Sequence, residues 1–296
     1  MKVVIGAVDD DSGSDALALG AVIERSAPET DLVLVHVHTT EYGYISRAHV
    51  DFEWETYLSE EAAKIVARAK EEITGRYGAT AVSTAIHGHR ASGHGLAEFA
   101  YSQDGDAIVI GSAPGGSPGR FQIGSTSNQL LHGSGVPIML APVGFRRRGV
   151  ERFGRVIVAF ADGREGKVAL SQGAALARDM HVPLVVLTLL LHHRMYGSQL
   201  GADAEALVLD GVLRDLSGAQ ADALAQINTE GLQLENHVTV GDTVFEAMNR
   251  MEWNSDDLLV VPSSRTILRR VFLGDINYKI VRAAPVATMV LPRHTD

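Results

Sequence analysis

One stretch of the chain has residue types and spacing that point directly at ligand chemistry. It reads Gly111-Ser-Ala-Pro-Gly-Gly-Ser-Pro-Gly-Arg-Phe-Gln-Ile-Gly124-Ser-Thr-Ser127 and follows an apolar run, Ala107–Ile110. Its glycines let the backbone approach a ligand closely and take positive φ. It ends in Gly-Ser-Thr-Ser where the pattern predicts a helix, Thr126 to His132. Hydroxyls and free N–H groups at a helix start suit a phosphate, so a polyphosphate is the natural ligand. Gly119 to Thr126 spells G-x4-G-S-T, one lysine short of the P-loop pattern. Without that lysine, and with no assigned base or arginine finger, binding is favoured over rapid phosphoryl transfer. The plain alternative is a surface loop with no ligand.

Other chemistry-bearing residues surround this loop in the sequence reading. Asp9, Asp10 and Asp11 could support Mg²⁺ through water near the phosphates, or stand as solvated loop charge. Histidines gather at His36 and His38, again at His87, His89 and His94, and at His192-His193. H-x-H spacing could bring imidazoles together for a divalent metal. No H-E-x-x-H motif accompanies them, and scattered polar loop histidines are the plainer reading. Ser125 to Ser127, at a helix start, read as anion ligands rather than nucleophiles.

The elements that must position these residues occur twice. Asp9 at the end of VVIGAVD recurs as Asp162 at the end of VIVAFAD, and Gly88 recurs as Gly241, both 153 residues on. Gly124, Val136, Met139 and Pro142 recur as Gly274, Val286, Met289 and Pro292, all 150 residues on. So long a period duplicates a whole domain rather than a solenoid unit. Short apolar runs alternate with helical patterns in each half, the signature of a parallel sheet wrapped by helices. The runs are Val3–Val8, Leu32–Val37, Val82–Ile86, Ala107–Ile110 and Val136–Leu140. The second copy has Val156–Ala161, Leu184–Leu191, Leu234–Val240, Leu258–Val261 and Val286–Leu291. Rich in Val, Ile and Leu and hardly alternating, they read as strands buried on both faces. Ser14 is the expected N-cap of a first helix. A longer helix is expected from about Glu53 to Tyr77, with its counterpart from about Ala202 to Glu230 softened near Gly211 and Gly218. Shorter helices are expected after Gly95, Gly124, Thr243 and Gly274.

Composition narrows the function classes. The 296 residues are 46% hydrophobic, enough for each half to bury its own core, and contain no cysteine. Disulfides, thiolate metal sites and cysteine nucleophiles are excluded, which suits a reducing, cytoplasmic setting. The start, MKVVIGAVDDD, resembles no signal peptide, and the longest apolar run, Leu184 to Leu191, is too short to cross a bilayer. The net charge is −10 and both halves are acidic, which argues against general nucleic-acid binding. Arg146, Arg147 and Arg148 read as a solvated linker between the copies.

Taken together, these residues resemble the universal stress protein family in its tandem two-domain form. The family's nucleotide motif is G-x2-G-x9-G-[ST]; Gly111, Gly124 and Ser125 fall in register, with Pro114 at the second glycine. The resemblance extends to Val8-Asp9, to Leu34–Val37, to Gly88-His89 and Gly241-Asp242, and to the V-P-x-x-x-x-P terminal strand. It implies an α/β fold of two five-stranded parallel-sheet domains, Rossmann-like and of the adenine nucleotide alpha hydrolase type, spanning 1–148 and 152–296. It implies ATP in the first domain, with Asp9 and the backbone of Val37 at the adenosine end and Gly111, Gly124 and Ser125 around the phosphates. Asp9 could equally cap the following helix. In the second domain Pro262, Arg265 and Asp275 depart from the motif, so weak or absent nucleotide binding is expected there. The terminal strands would pair the two domains as an internal pseudo-dimer, with a homodimer through other surfaces open. The function implied is a nucleotide-responsive stress-response module acting on a protein partner. The rivals are a slow ATPase or metal-assisted hydrolase, and a ligand-free scaffold.

Overall fold

Runs of Val, Ile and Leu dictate the architecture, because side chains that leave water on both sides of a strand need helices on both faces. The computed structural model describes residues 1–39, 50–191, 202–262 and 275–292. The first repeat runs β1 (Lys2–Gly6), α1 (Asp11–Ser26), β2 (Asp31–His38), α2 (Val50–Tyr77), β3 (Val82–Gly88), α3 (Ser92–Ser102), β4 (Ala107–Gly111), α4 (Ser125–Gly133) and β5 (Ile138–Ala141). A turn of 3₁₀ helix, Phe145–Arg147, follows. The second runs β6 (Arg155–Ala159), α5 (Arg164–Met180), β7 (Leu184–Leu191), α6 (Ala202–Leu224), β8 (Leu234–Gly241), α7 (Val244–Asn249), β9 (Asp257–Val261), α8 (Asp275–Ala283) and β10 (Ala287–Val290). The chain divides into two compact units, Met1–Arg152 with the stretch from Met289, and Phe153–Thr288.

In the first unit the strand order is β3-β2-β1-β4-β5, with parallel neighbours. Val3 pairs with Leu32 on one side and Ala107 on the other. The order therefore reverses at β1, and in such sheets the crevice beyond the strand ends at the reversal receives ligands. The second unit repeats the arrangement: Val156 pairs with Leu184 on one side and Leu258 on the other. Its first strand is also held by charge, since Arg155 forks onto both oxygens of the fully buried Asp257, each at 2.8 Å.

Several expectations change on contact with the structure. Helix α1 begins at Asp11, and its cap is Asp10, whose carboxylate accepts from the Gly13 amide at 2.9 Å. Ser14 lies one turn inside and instead donates to Glu72, because the acid just after the strand reaches the first free amide before the serine does. Helix α6 runs continuously through Gly211 and Gly218, since burial of neighbours such as Gln220, Ala223 and Leu224 outweighs the low helix propensity of glycine. Helix α3 starts at Ser92, so Gly95 lies within it. Strands β3 and β8 are largely exposed, unlike β9, which is buried throughout, and β1, buried at its three central residues, because each ends its strand order with a single strand neighbour.

Of the three arginines after β5, only Arg147 is exposed; Arg146 and Arg148 are not part of a solvated linker. The Arg146 side chain is only 10% exposed and pairs with Asp11 at 2.6 Å and with the buried Asp15 at 3.2 Å. Asp15 also accepts from the backbone amides of Gly144 and Arg146 at 2.7 and 3.0 Å. A buried carboxylate must find such partners, and these lie about 130 residues further along the chain.

Candidate functional site

The glycine loop is closed and anchored. Its base is pinned by the Ala113 amide donating to the Gln122 carbonyl at 3.0 Å and the Gln122 amide donating to Ser112 Oγ at 2.8 Å. Phe121 is buried beneath it. Gly111 is glycine for a packing reason: a Cβ there would collide with the carbonyl of Ser12 in the first turn of α1. A Cβ on Gly124 would fall 2.7 Å from the Ala113 Cβ. Glycines at both ends thus let the loop press against α1 and against itself.

This packing brings three helix starts to one place. A cavity of about 230 Å³ opens at the strand ends and is lined by residues from the β1–α1 junction, the end of β2, α3, and both ends of the glycine loop. Asp10 and Ser12 come from the start of α1, Ser92 from the start of α3, and Gly124, Ser125, Thr126 and Ser127 from the start of α4. Free amides and the aligned dipoles of helices place partial positive charge at such starts. Ser127 is already committed, exchanging hydrogen bonds with Gly124 at 2.8 and 3.1 Å. Ser125, exposed at the rim, and Thr126 remain available at that terminus. No lysine or arginine is among the described lining residues, so helix ends and hydroxyls supply the attraction for an anion.

The residues read from the sequence divide as follows. Val37, Gly111, Gly124 and Ser125 are brought together on the cavity wall. Asp9 is not among the lining residues; its carboxylate pairs with Arg68 of α2. The acid on the wall is its neighbour Asp10, the helix cap. Sequence reading also passed over Ser12 and Ser92, whose signal was their position in the first turn of a helix following a strand. Asp11 turns to Arg146, whose guanidinium holds the carboxyl below its ordinary value of 3.8.

The histidines are less scattered than expected. His87 and His89, two residues apart at the end of β3 and so on one face, set their Nε2 atoms 3.7 and 3.8 Å from the two oxygens of Glu98 on α3. His94 crosses His89 edge-to-face at 6.2 Å. Even so, no group of three His, Asp or Glu side chains among the described residues has the placement to hold a metal ion. His36 lines the cavity, and its Nδ1 donates to the Ala7 carbonyl at 2.8 Å, which sets the tautomer of the neutral ring. His192-His193 and the second-repeat loop from 263 to 274, including Arg265, lie outside the described residues, as does the side chain of Asp275. Pro262 is described; it is buried, and its carbonyl accepts from Asn277 at 2.6 Å.

Comparison with known proteins finds relatives along the whole chain. The model of the Universal stress protein family matches the chain twice, over residues 1–142 and 152–292. A universal stress protein of Mycobacterium tuberculosis H37Rv is 28% identical over 298 residues, covering 99% of this chain and 100% of that relative. A universal stress protein of Mycobacterium bovis matches to the same extent. Among solved structures, a universal stress protein from Archaeoglobus fulgidus superposes with a TM-score of 0.65 at 18% identity, covering 100% of this chain and 97% of that one.

Proposed function

The chain belongs to the universal stress protein family, as two tandem domains of that kind, and on that premise we propose that its first repeat binds ATP and acts as a nucleotide-responsive regulatory module. The observation that carries this reading is the convergence of three helix starts and a row of hydroxyls on one cavity at the strand-order reversal. The phosphates would lie against Gly124, Ser125 and Thr126, with Gly111 allowing the floor of the site to close. The adenosine end would meet the backbone of Val37 and the acid Asp10. Asp9 would reach the ligand only by leaving Arg68. Small-molecule sites usually enclose about 300–1,000 Å³. The cavity, at about 230 Å³, would seat part of the nucleotide and leave the rest along the open rim.

Mg²⁺ would arrive with the nucleotide rather than ahead of it. Asp9 and Asp11 are engaged by arginines, and Asp10 spends one oxygen on the Gly13 amide. One carboxylate oxygen and nearby hydroxyls are a poor cage alone but an adequate supplement to phosphate oxygens. A cytoplasmic setting belongs to the same reading; among the described residues no helix is long and apolar enough to cross a membrane.

Gly124→Val tests the assignment. The added side chain would collide with Ala113 at the mouth of the phosphate end. We expect loss of ATP binding by at least about a hundredfold, or roughly 2.7 kcal/mol, in titration calorimetry, with an unchanged far-ultraviolet circular dichroism spectrum. Unaltered affinity in the folded variant would reject this loop as the site.

A further inference from the structure

The segment that leaves the first repeat is tied to both walls of the cavity. On one side, Asp15 of α1 accepts from the Gly144 and Arg146 amides, and Arg146 donates to the Asp11 carbonyl at 2.7 Å while pairing with the Asp11 carboxylate. Asp11 stands between Asp10 and Ser12, two residues of the cavity wall. On the other side, the Gly119 amide donates to the Val143 carbonyl at 2.9 Å, and the Val143 amide donates to the Arg120 carbonyl at 3.0 Å. Arg148 reaches the Gly119 carbonyl at 3.3 Å. Gly119 sits at φ +77, a backbone that other residues rarely adopt, and lies mid-loop between the lining residues Pro114 and Gly124. Further on, Arg25 of α1 donates to the Glu151 carbonyl at 2.7 Å.

We infer that residues 143–148 form a strap whose order is coupled to the state of the cavity. Pulling the glycine loop toward a ligand moves Gly119 and Arg120, which hydrogen-bond the strap directly. Reorienting the first turn of α1 moves Asp11 and Asp15, which hold its arginine and two of its amides. The strap leads to Phe153, where the second unit begins, so it lies on one of the two covalent connections between the units, the other being at Thr288–Met289. The inference rests on the nucleotide reading for the identity of the ligand, but the coupling between strap and cavity wall stands on the hydrogen bonds alone. Such coupling is reciprocal, so loosening the strap must loosen the wall.

Hydrogen exchange read by mass spectrometry on the full chain tests it in two arms. In the first, saturating ATP with Mg²⁺, its binding measured by calorimetry on the same sample, slows exchange at Val143, Gly144 and Arg146. The slowing expected is within the usual range of coupled sites, about five- to 150-fold. Bound ATP with unchanged strap exchange would overturn the inference while leaving the binding reading intact. The second arm uses Arg146→Gln and Arg148→Gln without nucleotide. Faster exchange is expected at Gly13, Gln122 and Gly124, whose amides report on the wall through Asp10, Ser112 and Ser127. Change confined to 144–148 in both variants would also overturn it. Because the second arm needs no ligand, it decides the coupling even if ATP fails to bind.

Discussion

The rims of the two repeats share their packing and differ in their polar chemistry. A Cβ on Gly13 would collide with the Val8 carbonyl; in the second repeat one on Gly166 would collide with the Ala161 carbonyl. In both, the first turn of the following helix folds back onto the residue just past the strand. The polar positions diverge. By strand register, the place of Asp10 is taken by Gly163, at φ +122 and without a side-chain cap, and the place of Ser12 by Glu165. Asp15 gives way to Val168 and Gly111 to Pro262. His36, bonded to the Ala7 carbonyl, corresponds to Thr188, bonded to the Phe160 carbonyl at 3.3 Å and capped by buried Gln220 at 2.9 Å. The fold demands small residues where backbones touch and is indifferent to what faces the crevice. A scaffold can therefore be copied intact while its site changes.

Substitutions at the shared glycines probe the part of the comparison that should be symmetric. Gly13→Val and Gly166→Val should each destabilise by about 1–3 kcal/mol, the usual cost of overpacking, and by similar amounts in urea unfolding monitored by circular dichroism. A large cost at one and none at the other would show that the two helix starts are not built alike. A smaller effect separates the repeats by pH. Arg146 depresses the Asp11 carboxyl in the folded chain, so that ion pair contributes fully above pH 3.8 and is lost as pH falls through the lower folded value. The second repeat has Arg164 at the corresponding place, a side chain with no carboxyl to protonate there. Exchange at Gly144 and Arg146, corrected for the intrinsic pH dependence, should be constant from about pH 7 to pH 5 and quicken below about pH 4. No change on acidification would mean that contacts other than the Asp11 pair hold the strap.

Sequence reading works here where local pattern decides structure and fails where distant partners do. Parallel strands were legible because Val3–Ile5 and Leu258–Val261 have nothing polar to offer a solvent face. The place of Gly124-Ser125 on the cavity wall was legible because the pair combines backbone room with a helix start. The acid on the wall is Asp10 rather than Asp9, and pattern alone does not say which of the two faces the α1 amides. Local charge makes Arg146 look solvated, because its partners, Asp11 and Asp15, lie at the opposite end of the repeat and its exposure depends on them. The partial exposure of β3 and β8 follows from strand order, which apolar content does not encode.

The most direct test of the account is calorimetric titration of ATP with Mg²⁺ into the unmodified full-length chain, beside Gly124→Val. One nucleotide per chain, with no detectable binding to the folded variant, is the predicted result. Two nucleotides per chain, or equal binding by the variant, would contradict it.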